Sequence, residues 1–85
     1  MTLDEEFAAA QAKVQTLPQR PANDTLLELY GLYKQGSVGD VQGSRPGMLD
    51  FKGRAKYDAW SARRGMTSDI VKRTYVQLVE RLFAP

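Results

Sequence analysis

Tyr30, Tyr33 and Lys34 stand at i, i+3 and i+4, a spacing that on a helix gathers two phenol rings and an ammonium onto one face. Downstream, Arg45-Pro46-Gly47-Met48-Leu49-Asp50-Phe51-Lys52-Gly53-Arg54-Ala55-Lys56-Tyr57-Asp58-Ala59-Trp60 again interleaves rings with cations. Flat stacking surfaces beside fixed positive charge are what an aromatic phosphate ester such as a nucleotide requires. Lys52 and Lys56 lie four apart, where like charges repel by roughly a few tenths of a kcal/mol on an isolated helix. A visiting anion would account for their toleration. A plainer reading stays open for each: Tyr30 and Tyr33 as core-edge residues, Lys34 as a solvated lysine, Lys52 and Lys56 as a wet basic face balanced by Asp50 and Asp58. Tyr75 interrupts an aliphatic line near the C-terminus; if buried, its hydroxyl needs a partner from protein or ligand. Trp60 is assigned to packing, because a large indole is worth most inside a small protein. Gly39, Gly43 and Gly47 form no phosphate cradle, since no strand precedes them and neither GxGxxG nor a Walker lysine pattern is present.

Helices must position these groups. Thr2 followed by Glu5 fits a capping box, and Leu3, Phe7, Ala10, Val14 and Leu17 recur at steps of four and three. Pro18 and Pro21 end that first helix. Asn23 or Asp24 can cap a second, with Leu26, Leu27, Leu29, Tyr30 and Tyr33 on a broad apolar face running to about Gly36. Between Gly36 and Gly47 the periodicity disappears into a long connection, flexible or tightly turned. A third, shorter helix begins near Asp50, with Phe51, Ala55, Ala59 and Ala62 on one stripe and Lys52, Lys56 and Trp60 on the next, until Gly65 ends it. Thr67 or Ser68 caps the last helix, where Val71, Thr74, Tyr75, Leu78 and Leu82 mark the buried line and Lys72, Arg73, Gln77, Glu80 and Arg81 stay wet. No strand alternation or internal repeat is visible, so the expectation is an all-α fold of four helices.

Composition bounds the function. The 85 residues, 42% hydrophobic and 26% charged, suit one globular domain, 1–85. Cysteine and histidine are both absent, which removes disulfides, thiolate sites, the commonest general base and the commonest metal ligand. No metal site, cofactor or catalytic residue is expected. The formal charge of +2 is uneven: Met1 to Glu28 carries two bases against five acids, a net −3, and the remainder ten bases against five acids, a net +5. That asymmetry fits a compact anion better than a polyanion, which usually meets a broad cationic stripe. No apolar run approaches the roughly 20 residues of a membrane span, so stable membrane insertion is not expected. Met1-Thr2-Leu3-Asp4-Glu5-Glu6 is acidic and does not read as a secretory signal, giving a cytoplasmic expectation.

Tyr30-x-x-Tyr33-Lys34-Gln35, then Val38-Gly39-Asp40, then the block from Arg45 to Trp60 resemble the signature of the acyl-CoA-binding proteins, with Phe7, Val14, Leu17, Pro21 and Tyr75 also at family positions. The resemblance covers nearly the whole chain. It implies a four-helix up-down-down-up bundle that binds long-chain fatty acyl-CoA esters as an intracellular carrier and pool former, without catalysis and as a monomer. The positions matching Tyr30, Tyr33, Lys34, Lys56 and Tyr75 form the family's head-group site. Carried over, Lys34 and Lys56 hold the 3′-phosphate of the ribose, Tyr33 stacks near the adenine, and Tyr30 and Tyr75 offer hydroxyls to the phosphates and the pantetheine region. Lys52 adds to the same positive face. Leu26 and Leu27 are candidates for the acyl groove. Two residues depart from the pattern: Gln15 stands where many members have a lysine, and Tyr57 where tryptophan is common.

Two other classes compete. A small acyl-CoA isomerase or thioesterase lacks a histidine, a cysteine nucleophile or paired carboxylates beyond the acidic N-terminus. A basic helical nucleic-acid-binding module draws on the pI near 9.1 and the cluster from Arg45 to Arg64, and would show steep salt dependence.

Overall fold

The computed structural model describes residues 1–85 as four helices: α1 Leu3–Val14, α2 Asn23–Ser37, α3 Phe51–Ser61 and α4 Ser68–Phe83. The Thr2/Glu5 capping box forms in both directions, Glu5 N–H to the Thr2 hydroxyl at 3.1 Å and Thr2 N–H to Glu5 Oε1 at 2.9 Å. The second of these bonds holds the Glu5 carboxyl below its ordinary pKa. Asp50 caps α3 by accepting from Gly53 N–H at 2.9 Å, and Thr67, one of the two expected residues, caps α4. Three boundaries differ from expectation. α3 gives way at Ser61, ahead of Gly65, to turns closed by three-residue bonds such as Arg64 N–H to Ser61 O. α1 stops at Val14 rather than Leu17: the Thr16 hydroxyl donates to Lys13 O and the backbone tightens into three-residue bonds before the prolines are reached. α2 is preceded by Ala22, which offers no side-chain cap, so Asn23 and Asp24 lie inside the helix, where Asp24 faces the positive end of the helix dipole.

Side-chain pairings fix the topology. Asp4 meets Lys72, Phe7 meets Tyr75 and Lys13 lies over Phe83, so α1 and α4 run parallel. Lys56 lies over Tyr30 and Lys34 over Trp60, so α2 and α3 run parallel as well. Gln35, late in α2, bonds to Met66 O just ahead of α4, setting that pair antiparallel. The order is up-down-down-up, and the long connection between α2 and α3 follows, because parallel neighbours need a crossing the length of a helix.

α4 packs on α1 and α2, and α3 packs on α2 alone. The core is Phe7 and Ala10 of α1, Leu29 and Leu32 of α2, and Val71, Tyr75, Leu78 and Val79 of α4. α3 contributes nothing to it. Of the stripe Phe51, Ala55, Ala59 and Ala62, the middle two are half-buried, while Ala62 is exposed and Phe51 is 77% exposed. Lys72, expected wet, is half-buried, its ammonium 2.6 Å from Asp4 and over the Phe7 ring.

The connection before α3 is tied down along its length. Gly39, at φ 97°, closes α2 by donating its N–H to Lys34 O and Gln35 O. Its own carbonyl accepts from the Trp60 indole at 2.7 Å. Gly43 O accepts from the Tyr57 hydroxyl at 3.0 Å, and Arg45 grips Asp58 through two bonds of 2.9 and 2.7 Å. Those bonds lower the Asp58 pKa and raise that of Arg45. Buried Gln35 donates to Asp40 Oδ1 at 2.8 Å, and the same oxygen accepts from Gly65 N–H, so one carboxylate joins both connections that flank α3. No helix is long and apolar enough to cross a membrane.

Candidate functional site

α1 and α2 each lean on α4 but do not approach one another closely, and the space between them is a cleft of about 820 Å³, within the range of roughly 300–1,000 Å³ usual for small-molecule sites. One wall is the second half of α1, with Gln11, Val14 and Gln15. The linker closes one end with Leu17, Gln19, Arg20 and Pro21, and α2 supplies Leu26, Leu29, Tyr30 and Tyr33. Tyr75 of α4 forms part of the floor.

The tyrosines have distinct surroundings. Tyr75 is buried and packs edge-on against Phe7 at 5.1 Å, while Tyr33 stacks on the same ring at 6.4 Å and stays 38% exposed. Burial raises the Tyr75 pKa, and nearby Tyr33 adds to the effect, so the phenol is neutral and able to donate. Of the four tyrosines, Tyr57 alone bonds its hydroxyl within the protein. The three hydroxyls beside the cleft remain available to a ligand.

The positive charge lies along the seam between α2 and α3. Lys56 Nζ is 5.3 Å from the Tyr30 ring centroid, and Lys34 Nζ is 4.7 Å from that of Trp60. Such contacts steer an ammonium without neutralising it. The salt bridges of the protein are Arg45–Asp58 and Lys72–Asp4, so Lys34, Lys52 and Lys56 keep their charge uncompensated by a carboxylate. The seam is tight because Gly31 is buried against α3: a Cβ there would collide with the Ala59 carbonyl oxygen and stand 2.9 Å from its carbon.

The cleft thus gathers Tyr30, Tyr33, Tyr75 and Leu26, and the adjoining seam gathers Lys34 and Lys56. Leu27 is half-buried beside Leu26 without lining the cleft, and Lys52 is exposed, one turn before Lys56. Sequence reasoning missed Arg20 and Gln11, while Gln15, noted there as a departure from the family pattern, does lie in the wall. The signal for Arg20 was a base held between Pro18 and Pro21 in an otherwise acidic half. Trp60, expected as a core residue, is half-buried outside the core, bonding the loop and carrying Lys34 on its ring.

A family model described as acyl CoA binding protein matches residues 4–79. An acyl-CoA-binding protein homolog 1 of Caenorhabditis elegans is 50% identical over 84 residues, covering 99% of this chain and 95% of its own. The acyl-CoA-binding protein of Gossypium hirsutum is 47% identical over 83 residues, covering 98% and 93%. Among solved structures, acyl-CoA-binding protein 2 of Oryza sativa superposes with a TM-score of 0.91 at 42% identity, covering 95% of this chain and 90% of that one. The protein of Moniliophthora perniciosa follows at a TM-score of 0.84 and 35% identity, covering 99% and 86%. With the sequence block, the helix order and the cleft all in agreement, the chain belongs to the acyl-CoA-binding protein family.

Proposed function

We propose that residues 1–85 act as one domain that binds long-chain fatty acyl-CoA esters and carries them as a cytoplasmic, monomeric, non-catalytic pool former, with no nucleic-acid partner. One observation carries this reading: three tyrosines line the cleft between α1 and α2, and two uncompensated ammonium groups are held on aromatic rings beside it. Lys34 and Lys56 would take the 3′-phosphate, with Lys52 adding to the field. Tyr33, the most exposed of the three rings, would stack near the adenine, and Tyr30 and Tyr75 would donate to the phosphates and pantetheine region. Leu26 and Leu27 would meet the acyl chain. Gln15 in the cleft wall brings no charge, and Arg20 at its linker end is the cation that could compensate.

Affinity and selectivity separate physically. Each methylene removed from water contributes up to about 0.8 kcal/mol, so a sixteen-carbon tail brings on the order of 10 kcal/mol before its ordering entropy is subtracted. The head-group contacts fix orientation and reject free fatty acids. Isothermal titration with palmitoyl-CoA, free coenzyme A and palmitate tests this: tight binding is expected for the first, weaker for the second and little for the third. Equal affinity for palmitate and palmitoyl-CoA would reject the head-group site.

A further inference from the structure

Rings and cations alternate across the seam like the squares of a checkerboard. Tyr30 and Lys34 stand one turn apart on α2, Lys56 and Trp60 one turn apart on α3. Each ammonium lies over the ring of the opposite helix, Lys56 over Tyr30 at 5.3 Å and Lys34 over Trp60 at 4.7 Å. The two ammonium groups are thereby held about one turn, roughly 5–6 Å, apart along the seam. A single phosphate monoester can bridge that gap, offering a different oxygen to each at the ~2.8 Å of a charge-assisted hydrogen bond. Tyr30 lines the cleft as well, but Trp60 does not, and Trp60 also lies outside the core. Neither ligand contact nor core packing accounts for the indole.

What fixes the indole is Lys34 itself. Lys34 O accepts from Gly39 N–H at 3.3 Å, Gly39 O accepts from the indole N–H at 2.7 Å, and the indole face carries the Lys34 ammonium. The circuit begins and ends on one residue, so the ring is placed relative to the backbone of the lysine whose head it holds. A lysine loose in water samples many rotamers and must give them up when it grips a ligand. One resting on a ring has given up part of them already, and the ring contact takes none of its N–H donors away. Lys34 is in neither of the protein's salt bridges, so no carboxylate competes for those donors.

We propose that Trp60 is a positioning residue: hung from Gly39 O, its ring presets the Lys34 ammonium so that Lys34 and Lys56 grip one phosphate monoester, and it thereby sets a preference for 3′-phosphorylated coenzyme A esters over their dephospho forms. The inference rests on the proposed function, which puts the 3′-phosphate at Lys34 and Lys56, and adds the residue that makes this grip selective. Ring and phosphate act together, because the ammonium turns one side to the indole and keeps its remaining donors for oxygen. Were they rivals for the same ammonium, weakening the ring would strengthen the grip, so the sign of the effect separates the two cases.

The chain has a single tryptophan, so fluorinated tryptophans can be built in at Trp60 alone. Ring fluorine drains charge from the face while keeping the N–H donor and nearly the same shape, so it weakens the cation contact and little else. Isothermal titration with palmitoyl-CoA and palmitoyl-dephospho-CoA gives the preference as a ratio of affinities. The wild-type ratio is expected to be about tenfold or more. It should fall stepwise with added fluorine, by about three- to tenfold overall, while affinity for the dephospho ester and thermal melting stay as in the wild type. Trp60→Phe keeps a ring without the donor and should hold the ratio within about threefold, whereas Trp60→Leu should lose it as the fluorinated proteins do. In a Lys34→Met background fluorination should no longer move the ratio. The proposal falls if the fluorinated proteins keep the wild-type ratio or raise it, or if the dephospho ester loses as much affinity as palmitoyl-CoA, the mark of a merely structural role. A wild type that binds both esters equally also overturns it and leaves acyl-CoA binding standing, whereas a wild type that binds neither strikes the proposed function and the inference with it.

Discussion

Gly31→Ala sets two calculable effects against each other. Alanine is favoured over glycine by about 1 kcal/mol in a helix interior, and Gly31 lies in the middle of α2. Against this, the new Cβ would overlap the Ala59 carbonyl oxygen, with the carbonyl carbon at 2.9 Å and Trp60 N at 3.4 Å. These are backbone atoms and cannot rotate aside, so α3 must retreat by about 1 Å to recover ordinary contact distances. Overpacking of that kind costs about 1–3 kcal/mol. The clash therefore wins, leaving a net loss of about 1 kcal/mol and a fall in melting temperature of roughly 4–8 °C. The same retreat lifts Lys56 from Tyr30 and Trp60 from Lys34, so palmitoyl-CoA affinity should drop on the order of tenfold. Gly36→Ala is the comparison, since its Cβ would meet the side chains of Phe7 and Lys72 rather than backbone. Circular-dichroism melting and isothermal titration of both variants provide the measurement. A Gly31→Ala protein that melts higher and binds normally would refute the close approach of α2 and α3.

Three further outcomes are expected. Lys56→Ala should weaken palmitoyl-CoA binding by about 1.5–3 kcal/mol, as for a charged hydrogen bond, without loss of fold; unchanged affinity by titration would remove Lys56 from the site. Trp60→Phe deletes the indole donor to Gly39 O and should cost about 1 kcal/mol in urea unfolding, with faster amide exchange in the loop that the indole holds. Asp40 has its pKa lowered by the Gly65 N–H bond, then by Gln35, with a smaller contribution from Arg64. A lowered folded-state pKa adds stability that is present above the unfolded value of about 3.9 and is lost as pH falls through the folded one. Asp40→Asn should therefore be less stable than wild type at neutral pH, by a margin that shrinks in acid; a margin independent of pH would count against the carboxylate's role.

The sequence made the helices legible where caps and periodicity agreed, as at Thr2, Asp50 and Thr67, and less so where backbone geometry decided alone, as at Ala22. The core was read from one stripe per helix, and that is why Leu32 and Val79, both fully buried, were passed over. α2 packs on α4 and on α3 and turns a third side to the cleft, so its apolar residues spread around the helix and no narrow stripe identifies the inward one. The exposure of Phe51 was not legible either, because an apolar residue at helical spacing looks the same whether it meets a core or solvent. That Tyr30, Tyr33 and Tyr75 share a cleft with Lys34 and Lys56 beside it was suggested by spacing and family resemblance together. The use of Trp60 was not, since an indole pinned to a loop carbonyl and one buried in a core leave the same mark in a sequence.

The three-sided setting of α2 also explains how so small a chain can maintain a cleft. Leu29, Leu32 and Gln35 are buried with the α4 side, Gly31 meets α3, and Leu26, Tyr30 and Tyr33 open onto the cleft. Residues that hold the helix alternate with residues that line the site, so the tyrosines are fixed by their neighbours one position away. Phe7 repeats the arrangement from α1: it is a core residue whose ring supports both Tyr33 and Tyr75. A ligand would therefore meet rings and ammonium groups already oriented by the core, which reduces the ordering cost of binding. The same economy makes the site sensitive to the core, and substitutions at Phe7 or Gly31, neither of which lines the cleft, should disturb binding as surely as those that do.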